Sequence, residues 1–421
     1  MSHPSHPQMP SGQAWIGLIP DHWSMTRVGQ VFRQRSTKVS DRDFPALSVT
    51  KMGVLPQLEH VAKTDDNDNR KLVKAGDFVI NSRSDRKGSS GVADVNGSVS
   101  LINTVLEITG ELYPRYCHHL MRSTAFQEEF YRMGNGLVAD LWSTNFNAMK
   151  GINLPLPPLV EQTAIARFLD RETGLIDGLI EKKTRFIALL KEKRAAVITH
   201  AVTKGIDPDA PMKDSGVDWL GHVPAHWDVV PPTALFTESK ERAREGDQML
   251  SATQKYGVIP LAEYEALEQR QVTMAVVNLN MRKHVEVGDF VISMRSMDGG
   301  LERARAVGSV RSSYSVLKPG PDVEGRFYGA LMKSSLYIQA LRLTSNFIRD
   351  GQDLNFGHVR KVKLPKPDLR EQAAIADHIE AETARIDGLI SLTERSIDLL
   401  REKRAALITA AVTGKIDVRA A

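Results

Sequence analysis

The chain carries its own sequence twice, and this duplication constrains the possible folds more than any other feature. Gly76-Asp-Phe-Val-Ile80 recurs letter for letter as Gly288-Asp-Phe-Val-Ile292. Other matches follow in the same order in both halves: Trp15-Ile-Gly-Leu-Ile-Pro-Asp-His-Trp23 with Trp219-Leu-Gly-His-Val-Pro-Ala-His-Trp227, Ile176-Asp-Gly-Leu-Ile180 with Ile386-Asp-Gly-Leu-Ile390, and Glu192-Lys-Arg-Ala-Ala196 with Glu402-Lys-Arg-Ala-Ala406. The sequence therefore predicts two copies of one structural unit.

Each copy has two parts of different character. The first part mixes short apolar runs with Gly, Pro, Asn and Asp, which is typical of a compact α/β (α+β) module. The second part, from about Glu161 to Thr203 and from about Glu371 to Thr413, lacks proline and repeats apolar residues at spacings of three, four and seven, which is typical of one long helix. The predicted order is a flexible tail (1–14), a first module (15–155), a long helix (156–205), a linker (206–218), a second module (219–365) and a C-terminal long helix (366–417).

An apolar stripe follows each long helix. Its members are Ile176, Ile180, Ile187, Leu190 and Val197 in the first helix, and Ile386, Ile390, Ile397, Leu400 and Leu407 in the second. This spacing is typical of a coiled-coil seam, although one amphipathic helix on a module core would show a similar stripe. At a rise of about 1.5 Å per residue each helix would be roughly 60 Å long. Such length and the duplication favour two helices that pack on each other, with faces left for other chains.

The composition narrows the class of protein. No run of about 18 apolar residues could span a bilayer, and the first residues lack the basic-then-apolar pattern of a secretory signal. The single cysteine, Cys117, excludes an internal disulfide framework and any multi-cysteine metal site. These features favour a cytoplasmic protein. The chain has 55 Lys and Arg and 51 Asp and Glu, so its net charge is only +4. A basic surface for nucleic acid would therefore have to be local.

The sequence also lacks the motifs of common nucleic-acid enzymes. It has no Asn-Pro-Pro-aromatic tetrad of an amino-methyltransferase, no phosphate-binding Gly-rich loop followed by Lys-Ser/Thr, and no dinucleotide fingerprint. Cys117-His118-His119 could indicate a metal site, but the second copy has Tyr328-Gly329-Ala330 at the matching place, which favours a helix surface. We therefore expect no catalytic residue and no metal site on this chain.

In this order, the repeated motifs resemble the specificity subunits (HsdS) of Type I restriction-modification systems. The matching features are Pro-x-His-Trp at the head of each module, the Gly-Asp-Phe-Val-Ile strand, Leu154-Pro-Leu-Pro-Pro-Leu-Val-Glu-Gln-x-x-Ile165 opening the first long helix, and the closing Glu-Lys-Arg-Ala-Ala. The resemblance covers the chain from Ser11 to Asp417. The second helix starts differently, with Leu364-Pro-Lys-Pro-Asp-Leu-Arg370. The two binding sites for partner subunits could therefore differ in affinity.

The resemblance implies a fold, partners and cofactors. Each module would be a target recognition domain for one half of a split double-stranded DNA sequence. The long helices would pair as an antiparallel coiled coil with pseudo-two-fold symmetry and set the gap between the halves. Two modification (methyltransferase) subunits and restriction (motor-nuclease) subunits would dock on the chain. S-adenosylmethionine, ATP and Mg would bind those partners, so no cofactor is expected here.

The duplication also separates residues that hold the fold from residues that recognise DNA. Identical residues should hold it, among them Trp15, Pro20, His22 and Trp23 with Trp219, Pro224, His226 and Trp227. Cationic and amide side chains in loops that differ between the copies could bind phosphates or base edges, or could be incidental charge on solvated loops. These DNA-binding candidates are Arg83, Arg86, Lys87, Asn135, Asn145, Arg295, Arg303, Arg305, Arg349, Gln352 and Asn355.

Leu179 and Leu389 flank the seam on a neighbouring helix face, and we predict that they bind the modification subunit. Two alternatives to a specificity subunit stay open. A stand-alone bipartite DNA-binding protein would share the recognition loops but would need no face for partners. A structural adaptor would make no DNA contact, and DNA affinity that falls steeply with salt would exclude it.

Overall fold

The computed structural model describes residues 7–57, 68–83, 86–135, 142–271, 281–293, 296–344 and 354–418. They belong to two compact units. Unit 1 extends to Thr184 and resumes at Glu394, whereas unit 2 comprises Arg185–Thr393. Because both boundaries fall inside long helices, each unit contains one module and a part of each long helix.

The first module, in unit 1, is a mixed α/β domain of short antiparallel strands. One sheet has the strand order β10-β9-β12-β4, and a second has the order β11-β8-β5. Three two-stranded sheets are formed by β1-β2, β6-β7 and β3-β13. The elements are β1 (Gln8–Pro10), β2 (Leu18–Pro20), β3 (Ser24–Arg27), α1 (Val28–Val31), β4 (Phe32–Arg35), β5 (Lys38–Val39), β6 (Leu47–Thr50), β7 (Gly53–Pro56), β8 (Arg70–Val73), β9 (Phe78–Asn81), β10 (Ser90–Val92), β11 (Gly97–Val99), β12 (Asn103–Ile108), α2 (Pro114–Arg122), α3 (Thr124–Arg132), α4 (Phe146–Met149) and β13 (Asn153–Leu156).

The second module, in unit 2, repeats this plan. Its main sheet has the order β17-β24-β21-β22, and its pairs are β14-β15, β16-β25, β18-β19 and β20-β23. The elements are β14 (Met212–Asp214), β15 (His222–Pro224), β16 (Asp228–Val230), a short 3-10 helix (Pro232–Ala234), β17 (Phe236–Ser239), β18 (Leu250–Thr253), β19 (Gly257–Pro260), α6 (Leu261–Glu268), β20 (Lys283–Val285), β21 (Phe290–Ile292), α7 (Ser296–Gly299), β22 (Glu302–Arg303), β23 (Gly308–Val310), β24 (Ser315–Pro319), α8 (Gly325–Leu331), α9 (Ser335–Leu343), α10 (Phe356–Val359) and β25 (Leu364–Lys366).

The repeated Gly-Asp-Phe-Val-Ile motif forms a central strand and the turn before it. Gly76 has a φ of 93°, a left-handed conformation in which a Cβ would be strained. The Asp77 carboxylate accepts the Lys74 backbone N–H at 2.8 Å and so closes the turn. Every residue of β9 is buried, which explains the unbroken apolar run. Gly288, with a φ of 96°, occupies the same turn in the second copy.

The two long helices are α5 (Leu159–Lys204) and α11 (Leu369–Val412), and within each unit they pack antiparallel. In unit 1 the beginning of α5, with Ile165 and Leu169, shares one core with Ile408 near the end of α11. In unit 2 the end of α5, with Val202, shares one core with Ile375 near the beginning of α11. The ten predicted seam residues are all buried or half-buried. The predicted fold class, duplicated α/β modules each followed by a long helix that pairs with the other, is confirmed.

Two ion pairs occupy steps where the apolar stripe is interrupted by arginine. Arg404 binds Asp177 in unit 1, with Nε 2.9 Å from Oδ1. Arg194 binds Asp387 in unit 2, also at 2.9 Å. The four residues occupy matching positions in the two copies, so each copy supplies the arginine of one pair and the aspartate of the other. At the positions where arginine interrupts the apolar stripe, ion pairs therefore hold the two helices together in place of apolar contacts.

The structure corrects two of the expected boundaries. The predicted tail (1–14) contains β1, which pairs with β2 through Met9 and Ile19. The predicted linker (206–218) contains β14, which pairs with β15 through Lys213 and Val223. Both were missed because three-residue strands carry almost no periodic signal. The duplication therefore starts before Trp15.

Candidate nucleic-acid interface

The Pro-x-His-Trp motif fastens each module to the start of the long helix that follows it. Glu161, in the first turn of α5, binds His22 Nε2 at 2.7 Å and accepts the Trp23 indole N–H at 2.9 Å. Glu371, in the first turn of α11, binds His226 Nε2 at 2.8 Å. These repeated side chains hold elements together, as the comparison of the two copies predicts.

The glutamine that follows each of these glutamates is fully buried and satisfies backbone groups. Gln162 accepts the Tyr113 N–H at 2.8 Å and donates to the carbonyls of Glu111 and Pro157. Gln372 makes the same three bonds in unit 2, to the backbones of Glu324, Asp322 and Pro367. Because unpaired buried backbone groups are costly, the repeated Glu-Gln pair fixes where each long helix begins.

The glycine after each long helix lies against the aromatic motif of the other copy's module. Gly414 follows α11 with a φ of 72°, and a Cβ there would lie 2.2 Å from Pro20 Cδ. Gly205 follows α5 with a φ of 77°, and a Cβ there would lie 3.4 Å from Trp227 Cζ2. The left-handed conformation and the close packing together account for a glycine at both helix ends.

Sequence reasoning missed a further repeated junction between module and helix. Arg115 of α2 binds Asp170 of α5 at 3.1 Å, and Arg326 of α8 binds Glu380 of α11 at 3.2 Å. Hydrogen bonds to Glu324 and Asp377 raise the pKa of Arg326. The arginine stands at matching positions in the two copies, so the signal was present, but Asp in one copy and Glu in the other conceal it.

The two predicted recognition segments of the first module meet. Ser143 exchanges backbone hydrogen bonds with Asn135 at 3.0 and 3.1 Å, and the Thr144 N–H donates to the Ser82 carbonyl at 3.0 Å. The described ends of the segment after β9 and of the segment before α4 therefore lie side by side on one surface. Arg83 and Asn135 lie exposed on it.

Lys87 and Arg86 are exposed on the same surface. Lys87 binds Glu128 of α3 at 2.7 Å, and its ammonium lies 4.8 Å from the centre of the Tyr131 ring. A small pocket on this surface is lined by Arg83, Lys87, Gln127 and Tyr131. Exposed cations beside an aromatic ring suit phosphates and base edges.

Asn145 and Asn355 both act as helix caps. The Asn145 Oδ1 accepts the Ala148 N–H at 3.0 Å, and the Asn355 Oδ1 accepts the Gly357 N–H at 2.9 Å. A bidentate contact with adenine uses both the oxygen and the nitrogen of the amide. Because each oxygen already accepts a backbone N–H, the structure favours a helix-capping role for both residues, and DNA contact by either one stays a prediction.

In the second module, the candidates Arg303 and Arg305 differ in their surroundings. Arg305 is exposed, whereas Arg303 is half-buried with its guanidinium packed on the backbone of Gly325, where a Cβ would lie 2.7 Å from Nε. Arg305 is therefore the better placed of the two for DNA. The candidates Arg295, Arg349 and Gln352 lie outside the described residues.

The Cys117-His118-His119 stretch is not the helix surface that we expected, and that prediction is wrong. Cys117 and His119 are buried because α2 packs between the main sheet and α5. His119 binds Asp170 at 2.8 Å, while burial raises the pKa of the Cys117 thiol well above its usual value. Burial and the Arg122 guanidinium lower the pKa of His118 to about 3. In the described part of the chain, no group of three or more His, Cys, Asp or Glu could hold a metal ion.

A second apolar stripe on the long helices faces solvent. Leu179 is 47% exposed and Leu389 is 39% exposed, although both lie beside the buried seam. Exposed apolar residues continue from them at spacings of three, four and seven, namely Leu175, Phe186 and Leu189 in α5 with Leu392 and Leu399 in α11. Such a stripe is typical of a surface that another helix covers. Across the ranges that the structure describes, no helix is long and apolar enough to cross a membrane.

Comparisons with known proteins find relatives among the specificity subunits of type I restriction enzymes. No family model matches the chain. It is 22% identical to the putative type I restriction enzyme MjaX specificity subunit of Methanocaldococcus jannaschii, over 96% of both chains. It is 21% identical to the EcoBI specificity subunit of Escherichia coli, over 62% of this chain and 58% of that one.

Solved structures extend the likeness to the fold. A chain from a study of the assembly and conformational transition of the type I R-M system superposes with a TM-score of 0.68 at 14% identity, covering 94% of this chain and 99% of that one. The HsdS subunit from Thermoanaerobacter tengcongensis superposes with a TM-score of 0.52 at 16% identity, covering 94% and 98%. The resemblance indicated by the motifs therefore extends along the whole chain, in sequence and in fold.

Proposed function

We propose that this chain, a relative of the Type I specificity subunits along its whole length, is the non-catalytic subunit that recognises DNA for such a system. In this proposal each module binds one half of a bipartite, gapped sequence in double-stranded DNA. The chain then directs modification (methyltransferase) subunits, and restriction (endonuclease and translocase) subunits where they are present, to that sequence. We place this assembly in the cytoplasm.

The observation that carries the proposal is the division of labour between repeated and divergent residues. The repeated His22, Glu161 and Gln162, like their counterparts in the second copy, are engaged in holding each module to its helix. The divergent Arg86 and Arg305 are exposed on the modules. Two similar scaffolds with different exposed cationic segments suit a protein that recognises two different half-sites.

The exposed apolar stripe beside the helix seam supports the proposal that partner subunits bind this chain. A soluble helix pair gains nothing by leaving several large apolar side chains in water along one face, so Leu179 and Leu389 suit a surface covered by the modification subunits. A stand-alone bipartite DNA-binding protein has no use for this face. The proposal also assigns S-adenosylmethionine, ATP and Mg to the partners and no cofactor to this chain.

The experiment is methylation mapping in a host that expresses the modification subunits with or without this chain. We expect adenine methylation at one gapped bipartite motif, and only when the chain is present. Methylation that does not depend on the chain, or that follows an uninterrupted motif, would contradict the proposal. If the purified chain alone bound a gapped target with full specificity and did not change methylation, the stand-alone alternative would replace it.

A further inference from the structure

Each module contains a β-hairpin whose turn is held in the same way in both copies. In the first module the turn joins β6 to β7, and the Thr50 hydroxyl donates to the Gly53 carbonyl at 3.1 Å and accepts the Met52 N–H at 3.0 Å. In the second module the turn joins β18 to β19. There the Thr253 hydroxyl donates to the Gly257 carbonyl at 3.0 Å and accepts the Tyr256 N–H at 2.9 Å.

A basic side chain from the neighbouring helix end holds each turn by a backbone carbonyl. Arg122, the last residue of α2, donates to the Lys51 carbonyl. Lys333, just beyond α8, donates to the Gln254 carbonyl at 2.6 Å. Arg122 and Lys333 occupy matching positions in the two copies, 211 residues apart. Both modules therefore fix the path of this turn by equivalent contacts.

The side chains at the tip of the turn differ between the copies. The first turn presents Lys51-Met52 between its threonine and glycine, and the second presents Gln254-Lys255-Tyr256. Met52 is 81% exposed at the tip of the first turn, so its thioether is accessible to another molecule. A common scaffold with divergent exposed tips is the pattern expected of a segment that recognises different DNA sequences.

Both turns also lie beside the predicted recognition segments. In the first module β7 packs on β10, and a Cβ at Gly91 would lie 3.1 Å from Gly53 Cα. Because β10 is the strand that follows the segment carrying Arg83, the turn packs on the strand that leaves that segment. In the second module the Arg305 N–H donates to the Val258 carbonyl at 2.9 Å, and a Cβ at Gly299 would lie 2.6 Å from Gln254 Cγ.

We propose that these hairpin turns are a third recognition segment of each module, and that Met52 contacts a base of the first half-site. The proposal rests on the proposed function. A thioether has no strong hydrogen-bonding group, so its base-specific contact in the major groove is with the thymine methyl group. Arg122 and Lys333 are then positioning residues, because they hold the turns without contacting DNA.

The test measures base preference across a library of duplexes with randomised half-sites, using the full chain assembled with its modification subunit. Met52→Ala should lower the preference for thymine at one position of the first half-site by about tenfold. Replacing that thymine by uracil should lower the DNA affinity of the wild-type protein by a similar factor. The DNA affinity of the Met52→Ala variant should stay the same. Val95→Ala, at an exposed turn at the other end of β10, is the control and should change nothing.

The positioning residue gives a second, independent readout. Arg122→Met should weaken the same base preference, and Arg122→Lys should restore it, because Lys333 fills this role in the second module. Wild-type selectivity for a bipartite site together with unchanged preference in Met52→Ala would overturn this inference alone. A wild-type complex with no bipartite preference would overturn the proposed function and this inference with it.

Discussion

Glu161 and Glu371 occupy the same position in the two copies but accept different numbers of hydrogen bonds. Glu161 binds both His22 and the Trp23 indole, whereas the buried Trp227 indole nitrogen has no partner within the described residues. A hydrogen bond to a charged group contributes about 1.5–3 kcal/mol. We therefore expect Glu161→Ala to reduce the free energy of unfolding by about 2–4 kcal/mol and more than Glu371→Ala does.

Urea unfolding of the two variants measures this difference directly. Glu181→Ala, on the exposed surface of α5, is the control and should change the free energy of unfolding by less than about 0.5 kcal/mol. Equal losses in Glu161→Ala and Glu371→Ala would mean that the Trp23 bond contributes nothing measurable.

His284 in the second module is buried between two carboxylates. Its Nδ1 lies 2.9 Å from Asp247 and its Nε2 lies 2.9 Å from Glu286. Both ring nitrogens can donate to these carboxylates only when the imidazole is protonated, so the two contacts favour the protonated form. Burial alone would lower the pKa of His284, but the hydrogen bonds to Asp247 and Glu286 outweigh it and raise the pKa. Arg244, which binds Glu286 at 2.9 Å, opposes this effect only in part.

A raised pKa makes the stability of the second module depend on pH. The stabilisation is fully present below the unfolded-state pKa of histidine, about 6.5, and is lost as the pH rises through the higher pKa of the folded state. We expect the melting temperature to fall over that range, and His284→Gln to remove this part of the pH dependence. A pH profile that His284→Gln leaves unaltered would exclude the imidazolium as its source.

At the scale of the elements, the exposed stripe of the long helices predicts where partners bind. Leu179→Glu and Leu389→Glu should each reduce co-purification of the modification subunit, because a charge would be buried in an apolar contact. Ala188→Glu is the matched control, since it lies about 180° around α5 from Leu179 at 100° per residue. If both variants kept folded modules and still co-purified normally with the modification subunit, its binding site would lie on another face.

The long helices were predictable because their sequence carries a strong periodic signal. The seam positions from Ile176 to Leu407 were read from spacing alone, and the structure buries or half-buries all ten. The arginine interruptions were visible too, but their aspartate partners were not, because the register of two antiparallel helices is not written in either helix alone. Arg194 and Asp387 could be paired only by the structure.

The modules were predictable in class but not in detail. Strands of three or four residues, such as β1 and β14, give no reliable pattern, and their pairing depends on contacts between distant residues. The hairpin turns were missed although Leu-Ser-x-Thr precedes each one and Gly-Val-x-Pro follows it, from Leu47 to Pro56 and from Leu250 to Pro260. The second tip is one residue longer, and this insertion hides the match at the point where the copies differ.

At the scale of the whole molecule, we propose that the long helices determine the gap between the half-sites. Seven residues inserted in frame between Lys191 and Val197 would preserve the apolar stripe and lengthen α5 by about 10 Å. Base pairs advance about 3.4 Å, so the gap should grow by at most about three base pairs while the half-site sequences stay the same. Methylation mapping measures the gap.

A two-residue insertion at the same place is the control. It turns the stripe by about 200° and should prevent the helices from pairing, so that activity is lost. A seven-residue variant that stays active and methylates sites with the original gap would show that the helices do not set the spacing.

The central claim is that each module recognises one half of the target independently. The most direct measurement replaces residues 219–365 with the corresponding module of a related chain and maps methylation in a host that supplies the modification subunits. We expect one half of the motif to change and the other half and the gap to be retained, because the first module and both long helices are untouched. A change in both halves, or in neither, would contradict it.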